Sequence, residues 1–227
     1  MFQNLLNLFF PAVCLGCDSI LLSNENVICT RCRHEIPLTN HHLILENEVF
    51  KKFYGKIDIQ FAVAFTYFHK KGIVQELMHK LKYQGHQEIG TVFGDWFSSE
   101  LNELNTIYPI DVIVPVPIHK RKLKERGYNQ VTTFGNALAK NTNLSINEGL
   151  LARKLYARTQ TQKNLINRIA VTKLSPFEVS YSEIDYGKHF LLIDDVITTG
   201  STLESCCKAL LKIPGAKVSI ACIALTH

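Results

Sequence analysis

The stretch from Leu191 to Thr202 places the tightest limit on what this chain can become. Leu191-Leu192-Ile193 is a short apolar run, the pattern of a buried strand. Asp194 and Asp195 follow at its end as adjacent carboxylates. Thr198-Thr199-Gly200-Ser201-Thr202 is a turn rich in hydroxyls, and Leu203, Cys207, Leu210 and Leu211 then recur at helical spacing. Such a turn offers successive backbone N–H groups at a helix N-terminus, where the helix dipole favours an anion. It lacks the lysine of a Walker loop, which disfavours nucleotide γ-phosphate chemistry. Carboxylates touching a phosphate directly would repel it. Asp194 and Asp195 make sense as acceptors for hydroxyls a short distance away, and a ribose 5-phosphate unit has that layout. A turn that only capped a helix would need one aspartate and one hydroxyl.

The surrounding pattern alternates strands with helices. Phe61 to Tyr67 reads as a strand, Gly72 to Tyr83 as an amphipathic helix, and Ile89 to Leu104 as a second helix with Phe93, Trp96 and Phe97 inward. Gly85 is placed to cap the first helix, and Lys80 and Lys82 suit the negative end of its dipole. Ile110 to Val114 is a strand broken by Pro115-Val116-Pro117, and a helix follows with Val131, Phe134, Leu138 and Ala139 inward. Lys188 to Ile193 is a strand, Gly200 to Lys212 a helix and Ala216 to Leu225 a last strand. This order predicts an α/β fold with a parallel sheet and right-handed crossovers.

Open sheets of this kind bind ligands beyond the C-terminal ends of their strands. The loop after Pro117 is there, and it is basic: His119, Lys120, Arg121, Lys122, Lys124 and Arg126 precede Gly127-Tyr128-Asn129-Gln130. Most charge runs are solvated loops, but this position argues for an anion site. From Leu150 to Arg168 the chain reads as a long loop, polar and cationic from Arg158 to Arg168, which suits either a lid over a ligand or a surface linker.

Seven cysteines fall into two groups. Cys14, Cys17, Cys29 and Cys32 form C-x2-C-x11-C-x2-C, bracketed by Pro11 and Pro37. Each C-x2-C knuckle presents two thiolates, and four suit a structural tetrahedral Zn2+ with no open position. Gly16 is small enough to let the knuckle close. We place this zinc module at residues 1–45 and the remaining domain at 46–227. Metal binding would supply much of the module's folding free energy. Cys206, Cys207 and Cys222 read as small core residues. His41 and His42 are expected in a solvated loop, since four cysteines already complete one site.

The net charge of +5 permits anionic ligands without specifying nucleic acid. No apolar stretch is long enough to span a membrane. Met1 to Val13 is apolar in places but lacks a basic leader and a cleavage site, so a cytoplasmic protein without membrane insertion is expected.

The run Leu192-Ile193-Asp194-Asp195-Val196-Ile197-Thr198-Thr199-Gly200-Ser201-Thr202 resembles the phosphoribosyl pyrophosphate (PRPP) signature of type I phosphoribosyltransferases. The whole chain resembles the ComF family, competence-associated proteins of that type. The likeness covers the four cysteines, Lys82-Tyr83-Gln84-Gly85, Val114-Pro115-Val116-Pro117, Arg126-Gly127-Tyr128-Asn129-Gln130, the Arg158 to Arg168 segment and the Leu192 to Thr202 run. It implies a type I phosphoribosyltransferase-like parallel sheet flanked by helices, with the zinc module before it. It implies that Asp194 and Asp195 hold the ribose hydroxyls and that Thr198, Thr199, Gly200, Ser201 and Thr202 cradle the 5-phosphate. Arg121, Lys122 and Arg126 would meet pyrophosphate, bridged by Mg2+. Asp194, Asp195, Arg126 and Lys122 are then the catalytic candidates, and Arg158 to Arg168 the closing loop. The ligand would be PRPP or a ribose 5-phosphate-containing nucleotide. The reading divides between a phosphoribosyl-transferring enzyme and a non-catalytic DNA-uptake factor that contacts single-stranded DNA or a helicase partner. It admits self-association as a homo-oligomer, and it does not name an acceptor base.

Overall fold

In the computed structural model, residues 11–153 and 176–226 are described. The apolar start at residues 1–10 and the Arg158 to Arg168 segment lie outside them. The central element is β6 (His189–Ile197), which pairs in parallel on both sides and is apolar from Phe190 to Ile193. Strands β1 (Ala62–Phe68), β7 (Lys217–Thr226), β6, β2 (Val112–Pro115) and β3 (Ser145–Ile146) form a parallel sheet in that order. Parallel neighbours need crossovers. These are supplied by α3 (Ile73–Tyr83) and α4 (Glu88–Ile107) after β1, by α5 (Lys120–Arg126) and α6 (Thr132–Thr142) after β2, and by α7 (Ser201–Leu210) after β6.

Side chains alternate across β6. Leu191 and Ile193 join Phe65, Phe93, Phe97 and Phe134 on one face, under α3, α4 and α6. Phe190 and Leu192 join Leu203, Leu210 and the buried Cys206, Cys207 and Cys222 on the other, under α7. The three late cysteines are therefore core residues, as expected. Residues from the cysteine-bearing segment, including Cys14, Ile28, Cys32 and Ile36, share the first core with Val74, Leu77 and Leu81 of α3. That segment contributes α1 (Thr30–Glu35), and α2 (Glu48–Lys51) follows further along the chain, capped by Asn47.

Four sequence expectations need correction. First, His41 and His42 are not solvated: His41 is 3% exposed, and His42 Nδ1 lies 2.8 Å from Glu100 Oε2. The reason is the open edge of β1, whose unpaired backbone groups need partners. Residues 37–41 supply them. Thr39 N–H donates to Phe65 O, Tyr67 N–H donates to Pro37 O, and Ala64 N–H donates to His41 Nδ1 at 3.3 Å. Second, the basic run is a helix. Its lysines, arginines and leucine are good helix formers. His119 Nδ1 accepts from Arg121 N–H, and Gly127 ends it at φ 79°. Third, β6 does not stop at Ile193. β7 pairs Asp194 with Cys222 and Ile197 with Leu225, so the acid pair lies inside the ladder. Fourth, the segment after Leu150 is not all irregular, because β4 (Leu151–Arg153) and β5 (Phe177–Val179) pair antiparallel.

Gly94 shows how closely α4 meets α6. A Cβ there would lie 2.6 Å from Ala137 Cβ and from Phe134 O. Alanine in a helix interior normally gains about 0.5–1 kcal/mol over glycine, but overpacking costs about 1–3 kcal/mol. Gly94→Ala should therefore lower the urea midpoint by the larger amount. A midpoint that rises would show that the two helices can part freely.

Candidate functional site

β2 and β6 are neighbours, and the chain leaves both at the same end of the sheet. After β6, Thr198 and Thr199 are exposed, and Gly200 is the N-cap of α7 at φ 81° and ψ 0°. A side chain at Gly200 would be strained by that φ, and its Cβ would meet the Phe53 ring at 3.1 Å. Glu204 N–H is bonded to Gly200 O, so the N–H groups of Ser201, Thr202 and Leu203 have no place in the helix's own ladder. Together with the hydroxyls of Thr198 to Thr202 they line a pocket of about 50 Å³ that Asp194 closes. The size and donors suit a small anion.

The acid pair divides between the two faces. Asp194 faces the α7 side, where it lines the small pocket. Asp195 faces α3 and α6: its Oδ2 accepts from Gln130 Nε2 at 2.8 Å and lies 2.9 Å from Lys82 Nζ. Burial and the neighbouring Asp195 carboxylate push the Asp194 carboxyl up to about 7.

Beyond Asp195 lies a second cavity of about 240 Å³, lined by Lys82, Tyr83, Lys122, Arg126 and Tyr128 among others. Arg126 sits 5.0 Å over the Tyr83 ring and donates to Gln130 Oε1 at 2.6 Å. Tyr128 OH donates to Leu81 O, and Asn129 Nδ2 donates to Val116 O at 3.1 Å. These bonds tie the turn after α5 to both α3 and the exit of β2. Of the cations named from sequence, Lys122 and Arg126 line this cavity. Arg121 does not, and pairs with Glu125 along α5 at 2.8 Å.

The four cysteines converge. Their sulfurs all lie within 4.8 Å of one another, and Cys17 Sγ is 3.7 Å from Cys29 Sγ. A tetrahedron with metal–sulfur bonds of about 2.3 Å has edges of about 3.8 Å, so the cluster could hold a metal ion. Cys14 Sγ accepts from Gly16 N–H at 3.3 Å and from Cys29 N–H at 3.2 Å. Hydrogen bonding with Ser19 draws the Cys17 thiol down to about 6, while burial raises that of Cys32. A Cβ at Gly16 would meet Cys32 Sγ at 3.0 Å, which is why glycine stands in the first knuckle.

Residues 134–227 match the family model described as the phosphoribosyl transferase domain. Competence protein ComFC of Bacillus subtilis is 28% identical over 204 residues, spanning 88% of this chain and 78% of that one. Competence protein F of Haemophilus influenzae is 24% identical over 220 residues, spanning 90% and 93%. DNA utilization protein YhgH of Salmonella typhi is 29% identical over 154 residues, spanning 66% of each. The chain is thus similar to ComF-type competence proteins and carries a phosphoribosyltransferase-like domain.

The domain match begins in α6, so it takes in the acid pair and the hydroxyl-rich turn but neither the four N-terminal cysteines nor α3. α3 holds the residues that sequence reasoning passed over. Lys80 and Lys82 were assigned to the helix dipole, yet each has a specific acid. Lys80 Nζ is 2.6 Å from Asp18 Oδ1 in the first cysteine knuckle, and Lys82 meets Asp195. A signal was available, because Lys80 lies three residues from Leu77 in the helix's buried stripe. Lysine is almost never fully buried without a partner. Gln130 was quoted only as part of the resemblance.

A raised Asp194 pKa has a stability consequence. The folded chain holds this proton more tightly than the unfolded chain does. Stability therefore falls as pH rises from the ordinary carboxylate range to about 7. Asp194→Asn should raise the thermal midpoint at pH 8 by at least roughly 2–4 °C, the shift expected of 1 kcal/mol in a chain of this size. The gain should shrink towards pH 4. A variant no more stable than its parent at pH 8 would show that the carboxylate carries no burial cost.

Proposed function

We propose that the crevice at the end of β6 binds PRPP with Mg2+ and supports phosphoribosyl transfer. The observation that carries this reading is an acid pair set between two cavities: Asp194 lines a hydroxyl-rich anion nest, and Asp195 pairs with Lys82, which lines a largely cationic hollow. The 5-phosphate would enter the nest of Thr198 to Thr202, the ribose hydroxyls would meet the acid pair, and the pyrophosphate would lie towards Lys122 and Arg126.

Transfer is displacement at the anomeric carbon. The C1–O bond to pyrophosphate breaks as the acceptor's bond to C1 forms. Cations at Lys122 and Arg126 stabilise the charge that gathers on the leaving group. A carboxylate near the ribose favours the positive character that C1 gains. Bound Mg2+ would supply further neutralisation of pyrophosphate. Hard oxygen donors suit it: Asp194 and the ligand's own oxygens are of that kind. The four cysteines would hold a structural Zn2+, so that residues 1–45 form a metal-held cap on the wall of the 46–227 domain.

A second reading is favoured by α5. Lys120, Arg121, Lys122 and Lys124 are all exposed on this short helix beside the crevice, and one relative is named a DNA utilization protein. On that reading the basic helix contacts single-stranded DNA, and the fold serves binding without turnover.

Calorimetry with PRPP and Mg2+ should show binding that the paired change Asp194→Asn and Asp195→Asn abolishes. Absence of binding by the unaltered chain would sink the assignment. Incubation with PRPP and a panel of bases should release pyrophosphate if an acceptor is among them. Salt-sensitive single-stranded DNA binding, lost when Arg121, Lys122 and Arg126 are neutralised, would favour the second reading. Metal analysis should find about one zinc per chain, and none would remove the zinc assignment.

A further inference from the structure

We infer that the adjacent aspartates have different tasks: Asp194 is the carboxylate that meets the ribose, and Asp195 is a positioning residue that fixes Lys82 and Gln130 on the wall of the cationic cavity. This rests on the PRPP reading and refines it.

The sheet itself separates them, because successive side chains of a strand point to opposite faces. Asp195 is already satisfied by the protein. Its Oδ1 accepts from Val196 N–H at 2.5 Å, and its Oδ2 takes Gln130 Nε2–H at 2.8 Å and Lys82 Nζ at 2.9 Å. A carboxylate offers about four lone-pair sites, so little is left for a pair of ribose hydroxyls. The Asp195 side chain is also only 10% exposed. Asp194 is the reverse case. Its Oδ1 accepts only from Asp195 N–H, at 2.9 Å, and its Oδ2 takes no hydrogen bond among the described residues. It faces the anion nest, where a sugar attached to the bound phosphate would come within reach.

What Asp195 does follows from its partners. Lys82 has three N–H donors. One is directed at Asp195, and the ammonium borders the cavity that Lys122 and Arg126 also line. Gln130 is fixed amide-first towards Asp195, so its carbonyl oxygen is turned to accept from Arg126 at 2.6 Å. Asp195 thus orients one cation directly and a second through Gln130. The ligand group that needs both is the pyrophosphate, not the ribose phosphate. Lys82 is thereby added to the residues that would meet pyrophosphate.

The test compares two ligands. Ribose 5-phosphate and PRPP, each with Mg2+, are titrated calorimetrically into the full chain, Asp194→Asn, Asp195→Asn, Lys82→Met and the Asp195→Asn/Lys82→Met double variant. Asp194→Asn should weaken both ligands by about tenfold or more, the loss expected for a charge-assisted hydrogen bond. Asp195→Asn and Lys82→Met should each weaken PRPP by about tenfold and leave ribose 5-phosphate within about twofold. The double variant should be no worse than either single one, since both changes break one unit. Lys82→Met breaks the pair from its less buried end, so it carries the test if Asp195→Asn fails to fold. Equal losses for both ligands in Asp195→Asn would overturn the division, and so would no loss for either. If the unaltered chain bound neither ligand, the PRPP reading itself would fall, an outcome distinct from both.

Discussion

A strand that pairs on both sides and is covered on both faces is expected to be apolar, and β6 obeys this from Phe190 to Ile193. It then places two carboxylates inside a ladder that continues to Ile197. Everything near them answers that demand. Asp195 is met by a lysine and an amide, which is what a buried charge requires. Asp194 is met only by Asp195 N–H among the described residues, and its carboxyl is held well above the ordinary carboxylate range. The cost is tolerable because the core beneath it is dense. Phe190, Leu191, Leu192 and Ile193 are all fully buried. Burying large apolar side chains contributes about 1.5–3 kcal/mol each, enough to offset one strained ionisation.

The second organising element is α3. Lys80 and Lys82 are two residues apart, which on a helix of 3.6 residues per turn sends them to opposite sides. One binds Asp18 in the cysteine knuckle and the other Asp195. Lys80 is 7% exposed, and a charge that buried depends on its acid partner. The knuckle is therefore more than an appendage: its Asp18 compensates a buried charge on the helix whose other side borders the crevice. Asp18 has φ 57°, in the left-handed region. A short polar residue tolerates that conformation better than most.

Much of this was legible from the residues. The period of the apolar positions gave the order of strands and helices, and C-x2-C spacing gave the sulfur cluster. The hydroxyl-rich turn located the anion nest because phosphate-type loops are local in sequence. What could not be read was long-range. The pairing of Lys82 with Asp195 joins residues that only the folded sheet brings together, and charge at a helix end has a sufficient local explanation. His41 and His42 were misplaced for a related reason. Local polarity suggests water, whereas the decisive fact is an unpaired edge on β1, a strand that starts twenty residues further on. The basic run was taken for a loop because charge density outweighed its helix propensity. Its capping by His119 and Gly127 shows that propensity prevailed.

Strand alternation also explains how the site avoids neutralising itself. Lys122 and Arg126 have no carboxylate partner within ion-pair distance among the described residues; Arg126 hydrogen-bonds neutral Gln130 and stacks on Tyr83. Among the described residues Asp194 has no cation within that distance either. Had both aspartates faced α3 and α5, these charges would have paired and left nothing for a ligand. Instead one acid is given up to Lys82, and the other is turned to the opposite face, where Lys82 and Lys122 act on it only at a distance and partly offset the rise in its pKa. A carboxylate and a set of cations can then stay unsatisfied a few residues apart. Such a surface is complementary to a molecule that carries hydroxyls at its centre and anionic groups at its two ends. The sense of the alternation, fixed by Ile193 pointing into the α4–α6 core, determines which aspartate is which.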